Sequence, residues 1–289
     1  MGEKLKVAIV GGGGVMGSGI GFLTILNGFP TTLIDKTKDD AEVGVKRIEE
    51  YMEMSRGIQK LWLKMKKRSL IKLLRTSDDI GIVNKLNIVI EAIPEKKNLK
   101  KEVLRDISMH LSEDAILATN TSSIMVKTLS EGLKDPEKFL GIHFFNPPVL
   151  MKLVEIIKTE DTSDYTIELA RRFCKMLDRR IIEPKDIPGF VANRLYAALC
   201  KEAFNLFENG IATPKDIDTA AKFGLGHKLG PFKTADLIGI DTCGDVIDSI
   251  NEQSGEKIFE VPEALKGMIR NGELGMKTGK GFFDYKKQQ

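Results

Sequence analysis

Cysteine is scarce in this 289-residue chain. There are three, Cys174, Cys200 and Cys243, an odd number with no CxxC pair. That argues against a disulfide framework or a cysteine-built zinc site, and points to reduced core thiols of a cytoplasmic protein. Histidine is equally sparse: His110, His143 and His227 lie far apart, so no metal site is expected. No apolar run approaches the ~20 residues that cross a bilayer. No signal peptide is expected, because strand character begins near Leu5. Neither charge sign dominates; a net charge of +3 gives no reason to expect a nucleic-acid partner. Repeats and low-complexity segments are also lacking.

What is present is ordinary globular composition, 42% hydrophobic and 29% charged. At this length roughly 75% of the unfolded surface can be buried, so the core needs no staple. In the first half, short β-type runs at 5–10, 31–34, 88–90 and 115–118 alternate with amphipathic stretches. That alternation implies βαβ units and a largely parallel sheet. Two more strands are expected at 139–145 and 152–158. After the turn-rich stretch from Glu183 to Gly189 helix formers take over, with Pro and Gly confined to turns. The expectation is therefore an α/β, Rossmann-type doubly wound domain over 1–184, then an all-helical domain over 185–289.

The first strand runs into Gly11-Gly12-Gly13-Gly14-Val15-Met16-Gly17. Gly12, Gly14 and Gly17 fit GxGxxG: one glycine for the tight turn, one for close approach to a pyrophosphate, one for packing of helix on strand. Val15 and Met16 complete this loop at the cofactor, and it leads into a helix expected from Ser18, whose N-terminus can receive the phosphates. A second strand ends in Asp35. A carboxylate there accepts hydrogen bonds from the adenosine ribose and repels a 2′-phosphate, which favours NAD over NADP.

Two acids sit in apolar surroundings, where an unpartnered charge is expensive. Glu91 closes the 88–90 run, as a strand-end acid or a functional one. Glu155 interrupts Leu153-Val154-Glu155-Ile156-Ile157, and His143 precedes it by one short loop containing Asn146-Pro147-Pro148. If their strands are neighbours, the carboxylate can orient the imidazole as a general base; a structural histidine is the other reading.

Several segments together resemble the 3-hydroxyacyl-CoA dehydrogenase family. They are the glycine loop from Gly12 to Gly19, Asn120-Thr121-Ser122-Ser123, His143-Phe144-Phe145-Asn146-Pro147, Met151-Lys152-Leu153-Val154-Glu155, Pro188-Gly189-Phe190-Val191-Ala192-Asn193-Arg194, and a closing Gly275-Met276-Lys277-Thr278-Gly279-Lys280-Gly281-Phe282. The likeness runs nearly end to end, and the length resembles the 3-hydroxybutyryl-CoA dehydrogenases. It implies that His143 is the base and Glu155 its partner, that Ser122 and Asn193 hydrogen-bond the reacting substrate, and that Asn146 positions the thioester. It further implies that Glu95 and Lys100 contact the nicotinamide half of NAD, with Asn120 also at the cofactor, and that the helical domain forms a homodimer.

Between Arg56 and Arg75 stand eight basic residues (Arg56, Lys60, Lys64, Lys66, Lys67, Arg68, Lys72, Arg75) and no acid. The run is expected to be one face of a helical arm within about 41–75. It is either a solvated face or, as the resemblance implies, the place where CoA lies, with Lys64, Lys66, Lys67 and Arg68 as phosphate anchors.

Three features depart from the family pattern: the position of Pro148, His227-Lys228-Leu229 in place of Pro-Met, and Gly21 inside the first helix. Lys277-Thr278 is no P-loop, since Met276 precedes the lysine. The competing functions are a gulonate-type sugar-acid dehydrogenase on the same scaffold, which has no use for the basic arm, and a non-catalytic NAD-binding redox sensor, which has no use for His143, Glu155, Ser122 and Asn193 together.

Overall fold

The computed structural model describes residues 5–54, 57–255 and 260–285; Arg56 lies outside them, as do the side chains of 57–63, Lys60 included. The chain divides into two compact units, Met1–Asp186 and Ile187–Gln289.

The first unit is one sheet with helices between its strands. In chain order it contains β1 (Val7–Val10), α1 (Val15–Leu26), β2 (Thr31–Ile34), α2 (Lys38–Met54), α3 (Gly57–Ile71), β3 (Leu74–Ser77) and β4 (Ile88–Glu91). It continues with α4 (Lys97–His110), β5 (Ile116–Thr119), α5 (Val126–Ser130), β6 (Phe139–Phe144), β7 (Leu153–Ile157), α6 (Asp164–Met176) and β8 (Arg180–Ile182). The strand order is β3-β2-β1-β4-β5-β6-β7-β8. Neighbours are parallel from β3 to β6, β6 and β7 are antiparallel, and β7 and β8 are parallel. β1, β2, β4 and β5 are wholly buried four-residue runs, as expected of parallel strands covered on both faces. Their order reverses between β1 and β4, so a crevice opens outside the carboxyl ends of those two strands.

Two strands were not expected from sequence, β3 and β8, and they are the two edges of the sheet. An edge strand has one neighbour and need not be apolar; Leu74–Ser77 and Arg180–Ile182 are only partly buried. The basic arm is corrected accordingly. It is not a single helical face: it comprises α2 and α3, it stops at Ile71, and Arg75 belongs to β3.

The second unit is helical: α7 (Ala192–Glu208), α8 (Pro214–Gly224), α9 (Pro231–Ile238), α10 (Ile240–Ser254) and α11 (Glu263–Arg270). Its own core gathers Phe204, Phe232, Ile240, Ile250 and Leu265. The closing glycine motif has a structural use here. Asp236, 1% exposed, accepts the N–H groups of Phe282 (2.9 Å) and Phe283 (3.0 Å) and the Tyr285 hydroxyl (2.9 Å). A Cβ on Gly281 would lie 2.0 Å from that carboxylate, so no larger residue fits. His227, Lys228 and Leu229 form an exposed turn between α8 and α9.

Among the described residues, no helix is long and apolar enough to cross a membrane. All three thiols are buried, and burial pushes each up to about 12, which keeps them as unreactive thiols.

Candidate active site

The glycine loop is shaped by contacts that leave no room for a side chain. The positive φ of the turn belongs to Gly11 (+84°) rather than to Gly12, which corrects the assignment made from the motif. Gly12 is required for another reason: its Cβ would lie 2.6 Å from the Cβ of Leu33 on β2. Gly17 is the close-packing glycine, since a Cβ there would come within 2.1 Å of the Gly11 carbonyl oxygen. Gly14 differs from these. It precedes α1, and a Cβ on it would meet only the Gly11 oxygen, at 3.3 Å, so its other side is open for close approach. No side chain caps the α1 N-terminus. Open backbone and an uncapped helix end are what a pyrophosphate needs. Gly21 is also accounted for: a Cβ would lie 2.8 Å from Leu33 Cδ2, so α1 packs closely on β2 there. Pro148, the displaced proline, has its ring against Gly19 of α1.

Asp35, at the end of β2, accepts the Gly13 N–H through Oδ2 (2.9 Å) and its neighbour's N–H through Oδ1 (2.9 Å). It lines a cavity of about 610 Å³ with Gly13, Gly14, Arg47, Ile93 and Pro94. The volume is that of a small-molecule site. The cavity, the open Gly14 and the free helix end together fit a dinucleotide.

Glu91 is fully buried, and it is not a bare strand-end acid. Its Oε1 accepts from Lys100 Nζ (2.8 Å) and the Ile93 N–H (2.7 Å), and its Oε2 from the Thr119 hydroxyl (2.6 Å). Lys100, also fully buried, reaches on to Glu95 Oε2 at 3.3 Å. Glu95 Oε1 in turn gathers the Thr121 hydroxyl (2.5 Å), the N–H groups of Ser122 (2.8 Å) and Ser123 (2.9 Å) and the Ser123 hydroxyl (3.2 Å). Burial alone would push the Glu95 carboxyl up; the Lys100 charge, the Thr121 hydroxyl and the two backbone N–H groups outweigh it and hold the carboxyl below its ordinary 4.5. Sequence reasoning placed Glu95 and Lys100 near the cofactor but missed Glu91 as their anchor. Its partner Lys100 stands nine residues later, in the next helix.

The 120–123 loop is clamped from its other side as well. Asn120 Oδ1 accepts the Phe144 N–H (2.8 Å), which ties the end of β5 to the end of β6. Ser122, half-buried, sits on this loop. On β6 and β7, His143 and Glu155 stand directly opposite in the antiparallel register. His143 Nδ1 lies 2.8 Å from Glu155 Oε2, and the two residues are 3% and 0% exposed. The Phe145 ring leans over the imidazole at 4.4 Å between centroids. Asn146 is exposed in the loop that follows, and the Asn146–Pro147 peptide is cis. Asn193 belongs to the second unit, half-buried near the start of α7. Lys64, Lys66 and Arg68 are exposed on α3, but Lys67 is held between Glu49 (3.4 Å) and Glu53 (3.5 Å) of α2.

Residues 6–187 match the NAD binding domain of 3-hydroxyacyl-CoA dehydrogenase, and residues 189–285 match its C-terminal domain. The chain belongs to the 3-hydroxyacyl-CoA dehydrogenase family. It is thus an oxidoreductase whose cofactor is NAD. It is 36% identical to the rat mitochondrial hydroxyacyl-coenzyme A dehydrogenase over 98% of this chain and 92% of that one. It is 32% identical to a probable 3-hydroxybutyryl-CoA dehydrogenase of Bacillus subtilis over 99% of both. Among solved structures, an (S)-3-hydroxybutyryl-CoA dehydrogenase from Ralstonia eutropha superposes with a TM-score of 0.90 at 33% identity, over 99% of this chain and all of that one.

Proposed function

We propose that this dehydrogenase oxidises (S)-3-hydroxyacyl-CoA thioesters, short ones such as 3-hydroxybutyryl-CoA, to the 3-oxo esters and also runs the reverse reaction, with His143 as the general base. The observation that carries the reading is the buried His143–Glu155 pair. With a carboxylate on Nδ1, that nitrogen holds the proton and Nε2 keeps its lone pair for the substrate. His143 takes the hydroxyl proton at Nε2 as C3 gives up its hydride, and the Glu155 charge stabilises the resulting imidazolium. The chemistry that bound NAD would supply is that of a hydride acceptor. Ser122, held on its clamped loop, donates to the reacting oxygen, and the family likeness adds Asn193 to that task. Asn146 positions the thioester. Gly12, Gly14, Val15, Met16 and Gly17 hold the pyrophosphate, with Asp35 on the adenosine ribose and Glu95, Lys100 and Asn120 toward the nicotinamide.

The exposed Lys64, Lys66 and Arg68 are the CoA phosphate anchors, with Lys67 in a lesser role because it already has two acidic partners. Self-association into a dimer belongs to the second unit, and buried thiols suit a reducing compartment such as the cytoplasm. Turnover assays with acetoacetyl-CoA and NADH, beside gulonate and other CoA-free hydroxy acids with NAD, test the assignment. Reduction of the CoA ester alone is expected. Turnover of the free acids without the thioester would overturn it.

A further inference from the structure

The charges at the ends of β4 and β5 do not balance. Glu91, Glu95 and Lys100 are two acids against one base, with Glu91 and Lys100 fully buried and the Glu95 side chain about a third exposed at the mouth. Three donors face the Glu91 carboxyl, the surroundings of a carboxylate. Glu95 is held ionised by Lys100 and the 121–123 donors. The neighbouring cations Lys96 and Lys97 are exposed, where water screens them. The cluster therefore carries one net negative charge, which reaches the mouth at Glu95.

Its position gives it a use. Asp35 marks the adenosine side of the crevice, and the lining runs from there across the glycine loop to Ile93 and Pro94. Glu95 follows Pro94 and is bonded to the loop after β5, on the opposite side of the switch point from Asp35. A dinucleotide with its adenosine ribose on Asp35 places its other half toward this cluster. That half is a cationic ring in NAD⁺ and a neutral one in NADH, and the rest of the molecule is the same.

We propose that the net negative charge of the Glu91–Lys100–Glu95 cluster makes the site favour the oxidised over the reduced cofactor, and that Glu91, a positioning residue behind the other two, sets that charge. The inference rests on the NAD assignment. One unit charge acting over about 10 Å through an effective dielectric constant near 20 is worth about tenfold in affinity.

Dissociation constants for NAD⁺ and NADH, measured separately by calorimetry and by fluorescence without substrate, read this out. Both constants are measured in the same buffer at the same pH. Glu91→Gln keeps the shape and removes the charge. The NAD⁺ constant should rise about tenfold and the NADH constant should stay within about twofold. A purely structural role would weaken both forms alike, and that result overturns the proposal. The double variant Glu91→Gln/Lys100→Met removes one charge of each sign. Its NAD⁺-to-NADH preference should therefore return to that of the unmodified enzyme, even if both affinities fall. A double variant that has lost the preference refutes the charge account, and this second variant decides the matter if Glu91→Gln alone does not fold. An unmodified protein that binds neither dinucleotide would instead sink the cofactor assignment beneath it.

Discussion

A histidine can serve as a base only if one nitrogen is committed to holding the ring and the other is left to the substrate. The antiparallel register opposite Glu155 commits Nδ1 of His143 at 2.8 Å, within a pair almost wholly removed from water. A positioned base contributes about 10²–10⁴-fold, so His143→Gln should lower kcat by that order while NADH still binds. Glu155→Gln keeps the volume but removes the charge that stabilises the imidazolium, and should also cost most of the rate. If both residues serve one proton transfer, as proposed, the double variant should be little worse than the poorer single one. Steady-state kinetics of the three variants check this. Multiplicative losses, or an active His143→Gln enzyme, would mean that the proton leaves by another route. The pairing was half legible in the sequence. An acid inside an apolar strand demands a partner, and His143 was the candidate, but only the sheet shows that the two strands are adjacent. Glu91 was harder to read, because nothing local distinguishes a strand-end acid facing water from one whose partner is a lysine in the next helix.

At the scale of elements, the sequence revealed most where burial on both faces forces continuous apolar runs, and least where it does not. β1, β2, β4 and β5 were legible for that reason, and the edge strands β3 and β8 were not. The same limit affected the basic run. Its lack of acids was correctly read within 56–75, yet the acids that partner Lys67 come from α2, which lies beside it only in three dimensions. The residues of α3 left exposed for the proposed phosphate contacts are therefore Lys64, Lys66 and Arg68. Neutralising those three should raise the KM for acetoacetyl-CoA and abolish the difference between it and its 3′-dephospho form, whereas Lys67→Met should do much less. Comparing the two thioesters at low and high salt checks this, because a phosphate anchor weakens as salt screens it. If the unmodified enzyme treats both thioesters alike at every salt concentration, α3 holds no phosphate.

At the scale of the whole molecule, the change in sequence texture divides the chain between 184 and 185, and the boundary of the compact units falls slightly later, after Asp186. Asp186 is spent inside the first unit: its carboxylate accepts the N–H groups of Val126 (3.0 Å) and Lys127 (2.7 Å) at the start of α5. A turn-rich linker does not show which side its last acid serves. The glycine loop, Asp35, the Glu91–Lys100–Glu95 cluster and the His143–Glu155 pair all lie before that point, around a core of their own. Asn193 lies after it, in a unit with a separate core. A fragment ending at Asp186 should therefore fold, as judged by a cooperative melt, and bind NADH within about tenfold of the full chain. If Asn193 holds the reacting oxygen as proposed, the fragment's turnover should nevertheless fall below about a hundredth. Fluorescence titration with NADH and an acetoacetyl-CoA assay on the same preparation separate the two properties. A fragment that retains full turnover would remove Asn193 from the reaction, and a folded one that fails to bind NADH would show that the cofactor site is not complete within the first unit.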